Sequence, residues 1–440
     1  MLRKIILLQT ILFLVSMHVS AQVIRLDAPL LAGKQANLYY FQGARVDSII
    51  TTIDASGKAD FTIEYKNYKG MAALVIPDAG GIEMVVAEPN ILVECNSPAL
   101  NNETAVFPKS EENNFLKYIF TTQTRYLQQQ AWLRAGSQLF DEDSQILSAV
   151  QPGLKKVEDS IAALNSEIDA SKFYAAGYFR LSEYLNRLFE AEQRRDVEAS
   201  LPIRREMEET LDITALYTSG QLWESILNFY LSIFNQTLND GVKQTEYAES
   251  VLKTSRRLGA PYFEAYIAGC ITETERFGWM DARDSILAHV IEKNPGFKTN
   301  ILSLQHSLNS FLMRYKGIAP EIAGLSASKD YTKTVLAFHD SDCNTCLNEM
   351  NTLARNYELL RKNKIRVVSV AADKNKERFE AETRNFPWAD KLCDFQGFEG
   401  VNFTAFGVVA TPTFFIISKD GKIEGELNDA NELVSKLSGE

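Results

Sequence analysis

Thr334-Val335-Leu336-Ala337-Phe338-His339-Asp340-Ser341-Asp342-Cys343-Asn344-Thr345-Cys346-Leu347-Asn348-Glu349-Met350 is the stretch that decides the fold. Thr334 to His339 reads as an apolar strand, and a helix is expected from Thr345 to Lys362. Cys343 and Cys346 therefore sit where a strand turns into a helix. That setting says more than the C-x-x-C letters alone, which also mark half of a zinc site. A zinc site needs two further ligands. Beyond residue 21 the histidines are His289, His306 and His339, and there is no second C-x-x-C, so no metal is expected. A thiolate is the nucleophile in disulfide exchange, and a helix N-terminus offers it free N–H groups and a partial positive charge. The second thiol lies one helical turn later, near enough to close a ring. Cys343 is thus expected to attack and Cys346 to resolve a mixed disulfide, with no cofactor beyond the cysteine pair itself.

The pattern continues on both sides. Downstream, Ile365 to Val370 reads as a strand and Asn375 to Thr383 as a helix. Thr413 to Ser418 and Lys422 to Glu426 read as two strands joined by Lys419-Asp420-Gly421, and Ala430 to Leu437 as a closing helix. This is an α/β layout over 316–440 with its active site at a strand-to-helix turn. Upstream, residues 110–315 read as an α-helical domain. Phe115, Ile119 and Tyr126 fall on one stripe, as do Leu181, Leu185 and Leu188, then Leu222, Ile226, Phe229 and Ile233, then Leu304, Leu308, Phe311 and Tyr315. Residues 22–109 read as a small all-β sandwich or barrel. Asp54-Ala55-Ser56-Gly57-Lys58 and Pro77-Asp78-Ala79-Gly80-Gly81 look like hairpin turns.

Residues 1–21 have the layout of a cleavable secretory signal: Arg3 and Lys4, an apolar run from Ile5 to Val15, then small residues Val19-Ser20-Ala21. An uncleaved anchor is the other reading, although the run falls short of the roughly 20 apolar residues of a membrane helix. Removing this segment takes away two positive charges and no negative ones, leaving 44 against 57, a net charge of −13. With no basic patch, nucleic acid is an unexpected partner, because phosphate binding needs clustered Lys and Arg. Export implies an oxidising compartment, in which cysteines tend to pair. Of the five cysteines, Cys95, Cys270 and Cys393 read as buried small hydrophobes, with a Cys270–Cys393 pairing left open. His339, at the strand end, has two readings: a tuner of the nearby thiol, or a histidine held by a local hydrogen bond.

The stretch from Gly317 onward resembles the TlpA/ResA-type thiol–disulfide oxidoreductases of bacterial envelopes, members of the thioredoxin superfamily. Gly317-Ile318-Ala319-Pro320 is similar to the family's opening segment. Cys343-Asn344-Thr345-Cys346-Leu347-Asn348-Glu349-Met350 is similar to its C-x-x-C-x-x-E run. Ala410-Thr411-Pro412-Thr413-Phe414 resembles its T-P-T segment, and Asp420-Gly421-Lys422 its last hairpin. The resemblance implies a C-terminal thioredoxin-like fold. It implies a proton-handling role for Glu349 near the resolving thiol, a cis Pro412, and Thr411 facing an extended substrate. Asp342 departs from the family, which carries Trp before the first cysteine. An acid there disfavours the Cys343 thiolate by like-charge repulsion, unless Asp342 or Ser341 caps the helix instead. A peroxidase of the related peroxiredoxin type needs Thr three residues before the attacking cysteine, where this chain has Asp340.

The leading expectation is an envelope thiol–disulfide oxidoreductase that keeps client thiols reduced, with client proteins and a membrane thiol-electron donor as partners. An oxidase or isomerase is the alternative within enzymes. A second class is a polypeptide- or glycan-binding protein with a redox-regulated thioredoxin-like appendage. A permanent Cys343–Cys346 disulfide is a third reading. Oligomeric state is not legible in the sequence.

Overall fold

The computed structural model describes residues 22–65, 67–139, 145–326 and 330–438. The expected secretory segment lies outside the described residues. The chain divides into two compact units. One comprises residues up to Glu190 with Leu211–Ile226, and the other Ala191–Thr210 with the residues from Leu227 onward. Residues of the helical stretch 110–315 belong to both. No described helix is long and apolar enough to cross a membrane.

The first unit opens with β1 (Gln22–Asp27), β2 (Gln35–Gln42), β3 (Arg45–Thr52), β4 (Lys58–Ile63), β5 (Gly70–Ile76), β6 (Gly80–Val86), β7 (Asn90–Cys95) and β8 (Ala105–Val106). They form two sheets, ordered β4-β1-β7-β8 and β3-β2-β5-β6. Ile24, Phe61 and Val93 of one sheet and Leu38, Leu74 and Met84 of the other share one core, so the sheets form a sandwich. β5 and β6 make the expected hairpin around residues 77–79. The other expected hairpin does not form. β3 pairs with β2, whereas β4 pairs with β1 in the opposite sheet. Residues 54–58 make a tight turn, with Asp54 Oδ1 accepting from the Ser56 and Lys58 amides at 2.8 and 2.9 Å. Gly57 in that turn lies against residue 29, where any Cβ would come within 2.4 Å of the Pro29 backbone. The turn is therefore a corner between sheets, and β4 turns Ala59, Phe61 and Ile63 inward beside β1.

The helices follow: α1 (Glu111–Leu139), α2 (Gln145–Ala170), α3 (Tyr174–Arg194), α4 (Val197–Glu209), α5 (Ile213–Tyr217), α6 (Gln221–Thr237), α7 (Lys243–Ser255), α8 (Tyr262–Arg276), α9 (Met280–Lys293) and α10 (Leu302–Lys316). The apolar stripes of the sequence are mostly inward. Ile119 packs with Phe115 and Tyr126, and Leu181, Leu188, Ile226, Ile233 and Leu304 are buried. Tyr315 is the exception, 78% exposed and stacked on Phe311. α10 ends where Gly317 takes a left-handed conformation, φ 64°, as helix C-termini commonly do.

The second unit contains the α/β domain: β9 (Lys333–His339), α11 (Asn344–Arg355), α12 (Tyr357–Lys362), β10 (Ile365–Ala371), α13 (Lys376–Thr383), β11 (Asp390–Leu392), α14 (Val401–Phe406), β12 (Thr413–Ser418), β13 (Ile423–Leu427) and α15 (Ala430–Ser438). The sheet runs β11-β10-β9-β12-β13. β9, β10 and β11 are parallel, and β12 and β13 antiparallel. Strand alternation sends Val335 and Ala337 to one face, where Met350 and Leu353 of α11 and Leu433 of α15 cover them. Leu336 and Phe338 go to the other, under Phe403 and Phe406 of α14 and Met313 of α10. The central strand is thus buried on both sides, and its C-terminal end is where the two cysteines begin.

Candidate active site

The turn after β9 is built by its own backbone. Asp340 Oδ1 accepts from the Asp342 amide at 2.8 Å, and the Asp340 carbonyl accepts from the Cys343 amide at 3.2 Å. The first helical residue of α11 is Asn344, so Cys343 itself is the N-cap, with φ −103° and ψ 110°. Its Sγ accepts the Cys346 N–H at 3.2 Å. A sulfur thus holds the place usually taken by a capping oxygen, and any negative charge on it faces the helix-terminal amide that donates to it. Ser341 and Asp342 do not cap. Ser341 donates to the carboxylate of buried Asp373 at 2.8 Å. Asp342 pairs with the Arg378 guanidinium, which also donates to the Ser341 carbonyl at 3.1 Å. This ion pair is exposed, so it stabilises little, about 0–1 kcal/mol. Its effect is local: the acid next to the cysteine carries its own countercharge. No linear signal joins Asp342 to Arg378; only the packing of α13 against the turn brings them together.

The two thiols differ in access. Cys343 is half-buried, whereas Cys346 is fully buried on the stripe that continues through Met350 and Leu353. Burial pushes the Cys346 thiol up to about 11; the neighbouring Cys343 thiol adds to the rise and the Thr411 side chain opposes it. The Thr411–Pro412 peptide is cis. Thr413 pairs with Phe338 and Phe414 with Ala337, so the antiparallel register carries Pro412 and Thr411 past His339 and Asp340. The residues before them are open to solvent, Val409 being 69% exposed. The structure therefore brings together Cys343, Cys346, Thr411 and Pro412. Glu349 is half-buried, and its carboxylate accepts the Ala430 amide at 2.7 Å, joining α11 to the first residue of α15. No hydrogen bond joins it to Cys346 among the described residues.

His339 lies on the same sheet face as α11. It is buried, its ring meets Phe386 edge-on at 5.7 Å, and neither ring nitrogen has a hydrogen-bond partner among the described residues. The local hydrogen bond considered for it is absent. Burial holds its pKa down at about 4, so the ring is neutral at physiological pH and acts as an apolar wall. Cys95 and Cys270 are fully buried, while Cys393 is half-buried with its Sγ 3.4 Å from the Asp373 carbonyl. All five cysteines are unbridged. Among the described residues, no group of three or more His, Cys, Asp or Glu is placed to hold a metal ion.

Residues 319–425 match the model of the AhpC/TSA family. Similar solved structures include a thiol-disulfide oxidoreductase from Bacteroides fragilis, 24% identical, covering 26% of this chain and 85% of that one with a TM-score of 0.24. A thioredoxin-like protein from Parabacteroides distasonis is 17% identical, covering 27% and 91% with a TM-score of 0.25. StoA from Bacillus subtilis is 19% identical, covering 28% and 94% with a TM-score of 0.23. No curated protein matches the chain. The sheet order, the cysteine pair at the strand-to-helix turn and the cis proline before β12 make the C-terminal α/β domain thioredoxin-like. With the family match over the same residues, the chain carries a thioredoxin-like oxidoreductase domain.

Two outcomes follow. With a thiol pKa near 11, Cys346 is about one part in a thousand thiolate at pH 8. In a Cys343→Ser variant, which keeps the burial of Cys346 but loses the contribution of the Cys343 thiol, alkylation of Cys346 by iodoacetamide should be slow at pH 8 and still rise with pH above it. Mass spectrometry after timed quenching checks this, and a rate that levels off near pH 8 contradicts it. His339 titrates near 6.5 when unfolded and near 4 when folded. Its depressed folded value means the unfolded chain binds the extra proton, so stability present above pH 6.5 is lost as pH falls toward 4. The loss is on the order of 3 kcal/mol. His339→Phe should flatten the fall in urea midpoint between pH 7 and 4; an unchanged slope refutes the assignment.

Proposed function

We propose that the protein is an exported thiol–disulfide oxidoreductase that reduces disulfides of client proteins through Cys343 and Cys346. The observation that carries this reading is the asymmetry of the pair. An accessible sulfur sits at a helix N-cap, accepting the Cys346 amide at 3.2 Å, and a fully buried thiol follows one turn later. The Cys343 thiolate attacks one client sulfur. A Cys343–client bond forms, the client disulfide breaks, and the leaving thiolate takes up a proton. Cys346 then gives up its proton and attacks Cys343 Sγ, closing the Cys343–Cys346 disulfide and releasing the second client thiolate, which is protonated in turn. The client gains two electrons and two protons, and the oxidised pair needs a dithiol donor to restore it. Thr411 and Pro412 line the approach of the client's extended backbone, while Glu349 positions α11 against α15.

The reducing direction is favoured by what surrounds the sulfurs. Strong oxidants owe their potential to a stabilised reduced form. Here burial disfavours the Cys346 thiolate, and the nearby cation Arg378 is engaged with Asp342. Arg3-Lys4 followed by the apolar run Ile5–Val15 supports export, and hence a donor that passes electrons across the membrane.

Cys343→Ser should lower disulfide reduction by roughly 10³-fold or more, as loss of a nucleophile does. Cys346→Ser should accumulate a mixed disulfide between Cys343 and a client, visible on non-reducing gels and absent after dithiothreitol. Hydroperoxide should not be consumed, because Asp340 occupies the position where a peroxidase needs Thr. Exchange that survives Cys343→Ser, or hydroperoxide turnover by the wild type, contradicts the proposal.

A further inference from the structure

We propose that α10 sets the position of the client-facing loop at Thr411 and Pro412, with Asn309 and His306 as positioning residues. The inference rests on the reading that clients are polypeptide disulfides that meet this loop. Val409 and Ala410 are exposed, so packing does not hold the loop along its own length. Its placement is decided at its two roots. One is β12, whose Thr413 pairs with Phe338 of β9. The other is the end of α14, which the chain leaves through Gly407 and Val408.

That second root is fixed from α10. The Asn309 side chain donates to the Thr404 carbonyl at 2.8 Å, and the Gly407 amide donates to the same oxygen at 3.1 Å. Carbonyls in the last turn of a helix have acceptor capacity left over, and here a neighbouring helix uses it. Gly407 is left-handed, φ 63°, and faces the α10 backbone. A Cβ there would lie 2.5 Å from the His306 carbonyl and 2.7 Å from the Ser310 nitrogen. Backbone thus meets backbone, a close approach that only glycine permits and that leaves no room for sliding. The His306 ring is buried, with Nε2 3.5 Å from the Thr404 hydroxyl. Burial lowers its pKa, against the opposing effects of the Val408 backbone and Glu275, so the ring fills the root as neutral bulk. α10 is held in turn by α8 and α9: Ser307 donates to Glu275 at 2.7 Å, and Glu275 pairs with Arg283 at 3.5 Å. A small disulfide needs only the two sulfurs. An extended polypeptide also needs Thr411 in register, and a shift of about 1 Å there misplaces it.

The test mixes pre-reduced full-length protein with excess disulfide and follows a single turnover. The probes are insulin, a polypeptide disulfide, and hydroxyethyl disulfide, which has no backbone to bind. Asn309→Leu keeps the bulk and removes the donor. It should raise the half-saturating insulin concentration about fivefold, the effect of losing one hydrogen bond, with the limiting rate unchanged. Reduction of hydroxyethyl disulfide should be unchanged. Gly407→Ala, which drives a Cβ into α10 from the other side, should show the same split. Amide exchange at Gly407 and Val408 should be faster in Asn309→Leu than in wild type. An unchanged half-saturation for insulin, or equal losses with both substrates, overturns the proposal. So does unchanged exchange at 407–408, whether or not the cysteines are active. Wild-type protein that leaves insulin oxidised contradicts the function read for the site; the exchange result by itself still decides whether α10 holds the loop.

Discussion

The site depends on how α11 is seated on the sheet. Cys346, Met350 and Leu353 form one buried stripe, and it meets the face of β9 that carries Val335 and Ala337. Seating this stripe draws Cys346 out of water, and a buried thiolate without a countercharge is disfavoured. The same seating leaves Cys343, one residue ahead of the helix, at the boundary with solvent, where its sulfur accepts the Cys346 amide. One packing decision therefore produces both members of the pair: an accessible sulfur facing a helix N-terminus and a protonated partner beneath it. The pairing of β12 with β9 adds the third part, because the register that matches Thr413 to Phe338 carries Thr411 and Pro412 alongside the turn.

The surroundings adjust to that arrangement. An acid stands directly before Cys343, yet Arg378 answers its charge and also holds the Ser341 carbonyl, so the turn is fixed from α13. Ser341 faces inward to Asp373, whose carboxyl burial raises above the usual carboxylate range. His339 contributes bulk without charge. The neighbourhood thus contains several ionisable groups, but none places a positive charge on either sulfur, and this is the physical basis for favouring the reducing direction.

Much of the thioredoxin-like domain was legible because its strands are short apolar runs and its turns carry clear punctuation. Thr413–Ser418 is a strand as expected, and Asn375, read as the helix start, is the residue that caps α13. What was not legible has identifiable causes. β11 spans only Asp390–Leu392 and α14 only Val401–Phe406, too short for any periodicity to show. The helix expected from Thr345 to Lys362 is divided at Asn356 into α11 and α12. In the β-sandwich, residues 54–58 have good turn chemistry, but a turn does not say whether its flanking strands pair; inward packing of Phe61 sent β4 to the other sheet. Ser341 and Asp342, the alternatives considered for the cap, are of the commoner capping types, but α11 starts at Asn344 and a cysteine takes the position. The seat of α10 on α14 left no mark in the sequence, since the 95-residue separation of Asn309 and Thr404 is bridged only by the fold.

The central claim is that Cys343 and Cys346 form a reversible, reducing dithiol. The most direct measurement is the midpoint potential of the pair, obtained by equilibrating full-length protein with glutathione or dithiothreitol buffers and counting free thiols by alkylation. The account predicts a single two-electron transition at about −270 mV or lower, in the range of thioredoxin. A midpoint between about −180 and −120 mV, the range of disulfide isomerases and strong oxidants, contradicts the reducing direction, and a pair that does not exchange at all contradicts the claim itself.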